Sequence, residues 1–174
     1  MLINKWLYQY TLRKRLHKAT AFPDFSRCTR ILLVCNEEAW NSLTKPVSEL
    51  CAAGKNLTIL RYANHKLTNL PADHACTTIS KKDFTFFGKP RKSLQQILNL
   101  HYDLLLDLTD SSTLHTQWIA LLAVADFKAG KAVQPVFSGK NKALDFMIQL
   151  PPGSGADFLL RQILYYLQHI TPQS

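Results

Sequence analysis

Short, solid apolar runs alternate along the chain with stretches in which apolar residues recur every three or four positions. "RILLVC", residues 30–35, is a run of the kind that forms a strand buried on both faces. Behind it Trp40, Leu43, Val47, Leu50 and Cys51 keep helical spacing, with Cys51 on the apolar face. Pro46 kinks or restarts that helix, and Gly54 suits its stop. "NLTILRYA", 56–63, predicts the next strand, completing a β-α-β unit with parallel strands and a right-handed crossover.

"CTTIS", 76–80, predicts another strand. In "KKDFTFFGKPRK", 81–92, Phe84 and Phe86 alternate as in a short strand packed on the core, and Gly88 and Pro90 make a turn. Ser93 with Gln96 resembles a capping box opening a helix over 94–100. A second unit has a strand at 102–108, a helix at 113–124 with Leu114, Trp118, Leu121 and Leu122 inward, and a strand at 127–133. "ALDFMIQL", 143–150, predicts a last strand, and a final helix buries Leu160, Ile163, Leu167 and Ile170. Strands alternating with helices imply an α/β fold, a three-layer Rossmann-like sandwich on a mostly parallel sheet. Leu32, Val34, Ile59, Leu104, Leu106 and Met147 are its expected core.

Pro23 and Asp24 set an N-terminal arm, 1–25, apart from a single α/β domain, 26–174. The arm predicts a basic helix with Ile3, Trp6, Leu7 and Tyr10 on one face. Lys14 continues that stripe while Leu12 and Leu16 fall opposite, which suits a membrane interface poorly. The face is expected to dock on the protein itself or on a partner, a second copy included.

The composition, 47% hydrophobic and 19% charged over 174 residues, is that of a globular chain. The longest apolar run, 118–125, is far short of the roughly 20 residues that span a bilayer, and no secretory apolar core opens the chain. Cysteines at 28, 35, 51 and 76 form no C-x-x-C pair and have no histidine at zinc-finger spacing, so they read as reduced thiols. A cytoplasmic protein with no metal and no cofactor is the expectation.

The charge is uneven. Residues 1–30 carry Lys5, Arg13, Lys14, Arg15, Lys18, Arg27 and Arg30 against Asp24 alone, and residues 81–92 carry Lys81, Lys82, Lys89, Arg91 and Lys92 against Asp83. These two runs carry +6 and +4, and the rest of the chain sums to −1, for a net charge of +9. Clustered bases attract phosphates or acidic faces, so Arg13, Lys14, Arg15, Lys18, Lys81, Lys82, Lys89, Arg91 and Lys92 are the candidate contacts for an anionic partner, RNA or an acidic protein surface. Phenylalanines among bases can also stack on unpaired nucleobases.

A second candidate site follows from the fold. Parallel sheets bind ligands beyond the carboxyl ends of their strands. Asn36, Glu37, Asp107, Thr109 and Asp110 would stand there, with Glu38 nearby, able to hold a cation or sugar hydroxyls. Asp110, Ser111, Ser112 and Thr113 are also N-cap types, and a helix must begin at that point in any case. No glycine loop or nucleophile constellation accompanies them, and His115 reads as a lone surface or capping histidine, so no catalytic residue is assigned.

The succession FGKPR, YDLLLDLTD, FKAGKA, LDFMIQL and LLRQILYYLQHI resembles a family of small bacterial proteins known as a domain of unknown function. That resemblance implies no activity. "YDLLLDLTD" and "LLAVADFKAGKA" are also similar to the N-terminal Rossmann-like half of heptosyltransferase-type glycosyltransferases, which implies at most a nucleotide-sugar-binding half-domain, since the second half is missing. Three readings stand: a non-catalytic binding module for an anionic partner, a small-molecule or nucleotide-sugar binder, and an interaction module working through its N-terminal helix.

Overall fold

The computed structural model describes residues 8, 10, 11, 21–63, 76–109, 113–132 and 143–170. β1 (Arg30–Asn36), β2 (Asn56–Ala63), β3 (Cys76–Ser80), β4 (His101–Asp107), β5 (Val124–Lys131) and β6 (Phe146–Ile148) form one sheet. Its order is β3-β2-β1-β4-β5-β6, and every neighbouring pair is parallel. The chain winds outward from β1 to β3, then crosses back to β4 and winds outward the other way. The switch point therefore falls between β1 and β4.

Four helices cover the sheet: α1 (Trp40–Ala52), α2 (Lys92–Leu98), α3 (Leu114–Leu122) and α4 (Ala156–His169). Successive strand residues point to opposite faces, so one strand feeds two cores. Ile31, Leu33, Leu104 and Leu106 pack with Leu43 and Val47 of α1 and Leu160 and Ile163 of α4. Leu32, Val34, Leu60 and Leu105 pack on the other side with Leu94 and Leu98 of α2 and Ile119 of α3. These are the three expected layers, and the sheet is wholly parallel.

Several elements depart from expectation. The helix expected through 124 ends at Leu122, and β5 begins at Val124 because Ala123 turns extended (φ −58°, ψ 135°). The last strand shrinks to Phe146–Ile148, which leaves Met147 half-buried rather than in the core. α2 opens at Lys92 behind Arg91, which makes no side-chain cap, so Ser93 and Gln96 are not a capping box. Ser80 and Asp83 form one instead, around the 3₁₀ turn Lys81–Asp83. Cys51 is exposed, and Ile170 lies past the end of α4 at 37% exposure. Gly54 stops α1 as expected, at φ +80°.

Lys128 is the least anticipated core residue. It sits in β5, fully buried, and its ammonium donates to Ala120 O at 2.8 Å. It thereby satisfies a carbonyl at the end of α3, where a cation also suits the helix dipole.

Candidate nucleic-acid interface

Residues 81–92 fold into a pinned hairpin rather than a core strand. Phe84 and Pro90 form an antiparallel bridge, Thr85 N donates to Lys89 O at 2.7 Å, and Gly88 N donates to Thr85 O at 2.8 Å. Phe86 and Phe87 are therefore the two corners of a four-residue turn that ends on Gly88 at φ +78°. Any Cβ at Gly88 would lie 2.8 Å from Leu114 Cδ2 and 3.2 Å from Trp118 Nε1. Glycine is thus needed both for the left-handed backbone and for the close approach that seats the hairpin on α3.

Phe84 is buried, as expected. Phe86 is not: it is 92% exposed, and Phe87 beside it is 44% exposed. The expectation that Phe86 packs on the core is wrong because the chain reverses at that residue, which breaks the two-residue alternation. Turn corners ordinarily take Gly, Pro, Asn, Asp or Ser, so two phenyl rings there run against local preference. Such departures concentrate at functional sites.

The bases flank these rings in sequence. Lys81, Lys82, Arg91 and Lys92 are exposed and Lys89 is half-buried, and among the described residues none forms an ion pair. Asp83, the one acid of the run, is bound into its capping box, where it accepts from Ser80 N at 2.8 Å. Arg91 is tied at both ends of its residue: its backbone amide donates to Asp83 O at 2.7 Å and its Nε to Phe84 O at 3.2 Å. The result is a run of cations without ion-pair partners among the described residues, on the same segment as two solvent-facing rings.

Tyr8 of the N-terminal arm packs on Trp118 of α3, the helix that seats the hairpin. Tyr8, Tyr10 and Thr11 are helical, and Tyr8 is buried, while Tyr10, expected on the docking face, is 45% exposed. The Tyr8 ring meets Trp118 edge-on at 5.2 Å, and Lys89 Nζ lies 6.0 Å from the same indole. Ile3, Trp6, Leu7, Arg13, Lys14, Arg15 and Lys18 lie outside the described residues. Burial and the Asp107 charge push the Tyr8 hydroxyl up to about 12.

At the strand ends, Asn36, Glu37, Asp107 and Thr109 do come to the β1–β4 switch point; Asp110, Ser111 and Ser112 lie outside the described residues. Their side chains are mostly committed. Glu37 pairs with the buried Arg61 at 3.4 Å, which also packs on Trp40. Asp107 accepts from Thr109 N at 3.1 Å and from Thr109 Oγ1 at 2.7 Å, and burial pushes its carboxyl up to about 6. Thr113 caps α3 by accepting from Thr116 N. Asn36 Oδ1 is the exception, buried with no partner among the described residues.

His115 is neither lone nor at the surface. It is half-buried, its Nδ1 is 2.7 Å from the Tyr62 hydroxyl, and its ring lies tilted against that of Phe84, centroids 4.4 Å apart. Burial and the charge of Lys81 hold it below its ordinary pKa. The His115–Phe84 contact ties the root of the hairpin to the strand ends.

One further group has ligand-like spacing. His101, Asp103 and Asp126 gather at the opposite end of the sheet. The Arg30 guanidinium lies 3.0 Å from His101 Nδ1, Asp126 takes the other ring nitrogen at 2.8 Å, and Asp103 Oδ2 accepts from Thr29 N and Arg30 N. A cation-bearing, internally paired cluster of this kind is built as a surface network.

Strand order and chemistry together define a parallel α/β sandwich of the doubly wound kind. Its first β-α turn, Asn36-Glu37-Glu38, has acids where a dinucleotide-binding protein would carry glycines. The chain belongs to a family of unknown function, DUF6913, whose pattern it matches over residues 2–170. No curated protein and no solved structure matches it, and no likeness to glycosyltransferases is shown. Among the described residues no helix is long and apolar enough to cross a membrane.

Proposed function

We propose that this protein is a non-catalytic RNA-binding module whose contact surface is the hairpin Phe84–Pro90 and the bases that flank it. The observation that carries this reading is Phe86, 92% exposed at a turn corner among five cations without ion-pair partners among the described residues. Exposed rings supply stacking to any base, and Lys or Arg around them neutralise phosphates, the combination used by single-strand binders. An acidic protein face would use the same charges but gives no role to two solvent-facing rings. The meeting of Tyr8 and Lys89 on Trp118 supports a single surface that includes the basic arm.

The reading of a nucleotide-sugar or small-molecule site at the strand ends is less supported. Glu37 and Asp107 are already engaged, and acids repel a diphosphate where backbone amides would have to hold it. The test is a comparison, on the full chain, of an RNA oligonucleotide, poly-glutamate and phosphatidylserine vesicles. RNA is expected to bind, and the variant carrying Lys89→Glu, Arg91→Glu and Lys92→Glu to lose that binding, with Arg91→Lys as the control for the bond that Arg91 Nε makes to Phe84 O. Binding of poly-glutamate or vesicles in preference to RNA, or RNA binding unchanged in the variant, would overturn the proposal.

A further inference from the structure

The two exposed rings stand nearly at right angles. Their centroids are 5.6 Å apart and their planes meet at 82°. Phe86 and Phe87 are adjacent corners of one turn held by the Gly88 N to Thr85 O and Thr85 N to Lys89 O bonds, and there the rings rest edge-to-face on each other, the arrangement aromatic pairs favour. Gly88 in turn lies close against Leu114 and Trp118, which seats the turn on α3.

From this geometry we infer that the tip takes one base at a time, splayed out of its strand, and so selects unstacked, unpaired RNA such as loops and uridine-rich segments. The inference rests on the RNA reading above and narrows its substrate. Consecutive bases in a stacked strand are parallel, and parallel planes cannot both lie face-on to perpendicular rings. A single base can lie flat on Phe86, the freer ring, with its edge toward the face or edge of Phe87, an arrangement aromatic pairs favour. Unstacked loop bases are the ones proteins commonly capture in this way. The cations sit where the strand must enter and leave, since Lys81 and Lys82 precede the hairpin while Lys89, Arg91 and Lys92 follow its tip.

A flat platform would behave in the opposite way. Adenine offers the larger π-face, so parallel rings would favour adenine-rich strands, whereas a one-base tip forces such strands to break their own stacking first. Oligo(U) and oligo(A) of the same length, about 15 nucleotides, carry the same phosphate charge, so the electrostatic attraction cancels in the comparison. The full chain is expected to bind oligo(U) at least about fivefold more tightly than oligo(A) in fluorescence anisotropy at equal salt. Phe86→Ala should weaken oligo(U) binding by roughly 5- to 150-fold and abolish the preference, with unchanged melting. A hairpin RNA with a uridine loop should bind like oligo(U), and the same strand annealed to its complement should not. Oligo(A) binding as tightly as oligo(U), with both lost in Phe86→Ala, would overturn the one-base tip and leave RNA binding intact. Equal, weak binding of both RNAs by the parent and by Lys89→Glu/Arg91→Glu/Lys92→Glu would overturn both.

Discussion

Replacing Asp107 by Asn should make the protein more stable at pH 8 and leave it nearly unchanged at pH 4. Burial pushes this carboxyl from its ordinary 3.8 to about 6, even though Thr109 donates to it twice. The folded state therefore holds the Asp107 proton more tightly than the unfolded chain does. The stability this gives is fully present below about pH 4 and is lost as pH rises through about 6. At 1.36 kcal/mol per pH unit the whole interval corresponds to about 3 kcal/mol, a ceiling, because part of the residue still meets solvent and is screened. Asn keeps an oxygen in place for the Thr109 amide and hydroxyl but carries no charge. Chemical denaturation of parent and variant between pH 4 and 8 isolates the effect. The variant's advantage should grow by about 1 to 3 kcal/mol across that range. The difference matters because other carboxyls act in the opposite sense: hydrogen bonds from Ser26 hold Asp24 low, and against the cost of burial the Arg30 and Thr29 amides hold Asp103 low. A variant that is destabilised equally at every pH would refute the claim that Asp107 is a desolvated, strained acid and would make it a simple turn-former.

Other parts of the structure give sharper mechanical expectations. Leu106 is fully buried, so Leu106→Ala should cost about 2 to 5 kcal/mol in denaturant titration, and a loss under 1 would contradict its placement. Gly130→Ala would drive a Cβ to 2.7 Å from the Asp107 carbonyl oxygen across the β4–β5 pair, costing about 1 to 3 kcal/mol; an unshifted unfolding midpoint would show that the strands separate easily there. Tyr8→Ala should uncover Trp118, which is fully buried, and red-shift its emission in a Trp6→Phe, Trp40→Phe background. Unchanged emission would mean that the arm does not shield the indole.

How much of this was readable in advance depended on whether a boundary had chemical punctuation. β2 and β3 match "NLTILRYA" and "CTTIS" residue for residue because turn-forming or polar stretches bound them. The α3–β5 junction was misplaced because Leu121, Leu122, Ala123 and Val124 satisfy helix and strand patterns alike and no glycine or proline separates them. The hairpin's basic side chains were legible, but the fate of its rings was not: alternation placed Phe86 inside, whereas the Gly88-Lys89-Pro90 signal two residues later was the better guide to a reversal. The burial of Tyr8 was missed because it lies off the stripe Ile3, Trp6, Leu7 and Tyr10 on which the docking face was read. The His115 contacts with Tyr62 and Phe84 and the burial of Lys128 depend on partners from distant elements, which no local pattern encodes.

The central claim, that the hairpin binds RNA through uncompensated cations and a stacking tip, is tested most directly by the salt dependence of oligo(U) affinity. If Lys81, Lys82, Lys89, Arg91 and Lys92 each neutralise one phosphate, log K should fall against log salt with a slope of about −3.5, a loss of roughly 100-fold between about 50 and 200 mM. The slope becomes steeper if Arg13, Lys14, Arg15 and Lys18 join them. Lys89→Glu/Arg91→Glu/Lys92→Glu should reduce the magnitude of that slope by at least about 2, and Phe86→Ala should lower affinity at every salt concentration without changing it. A parent slope near zero, or a charge-reversed variant with the parent's slope and affinity, would contradict the account.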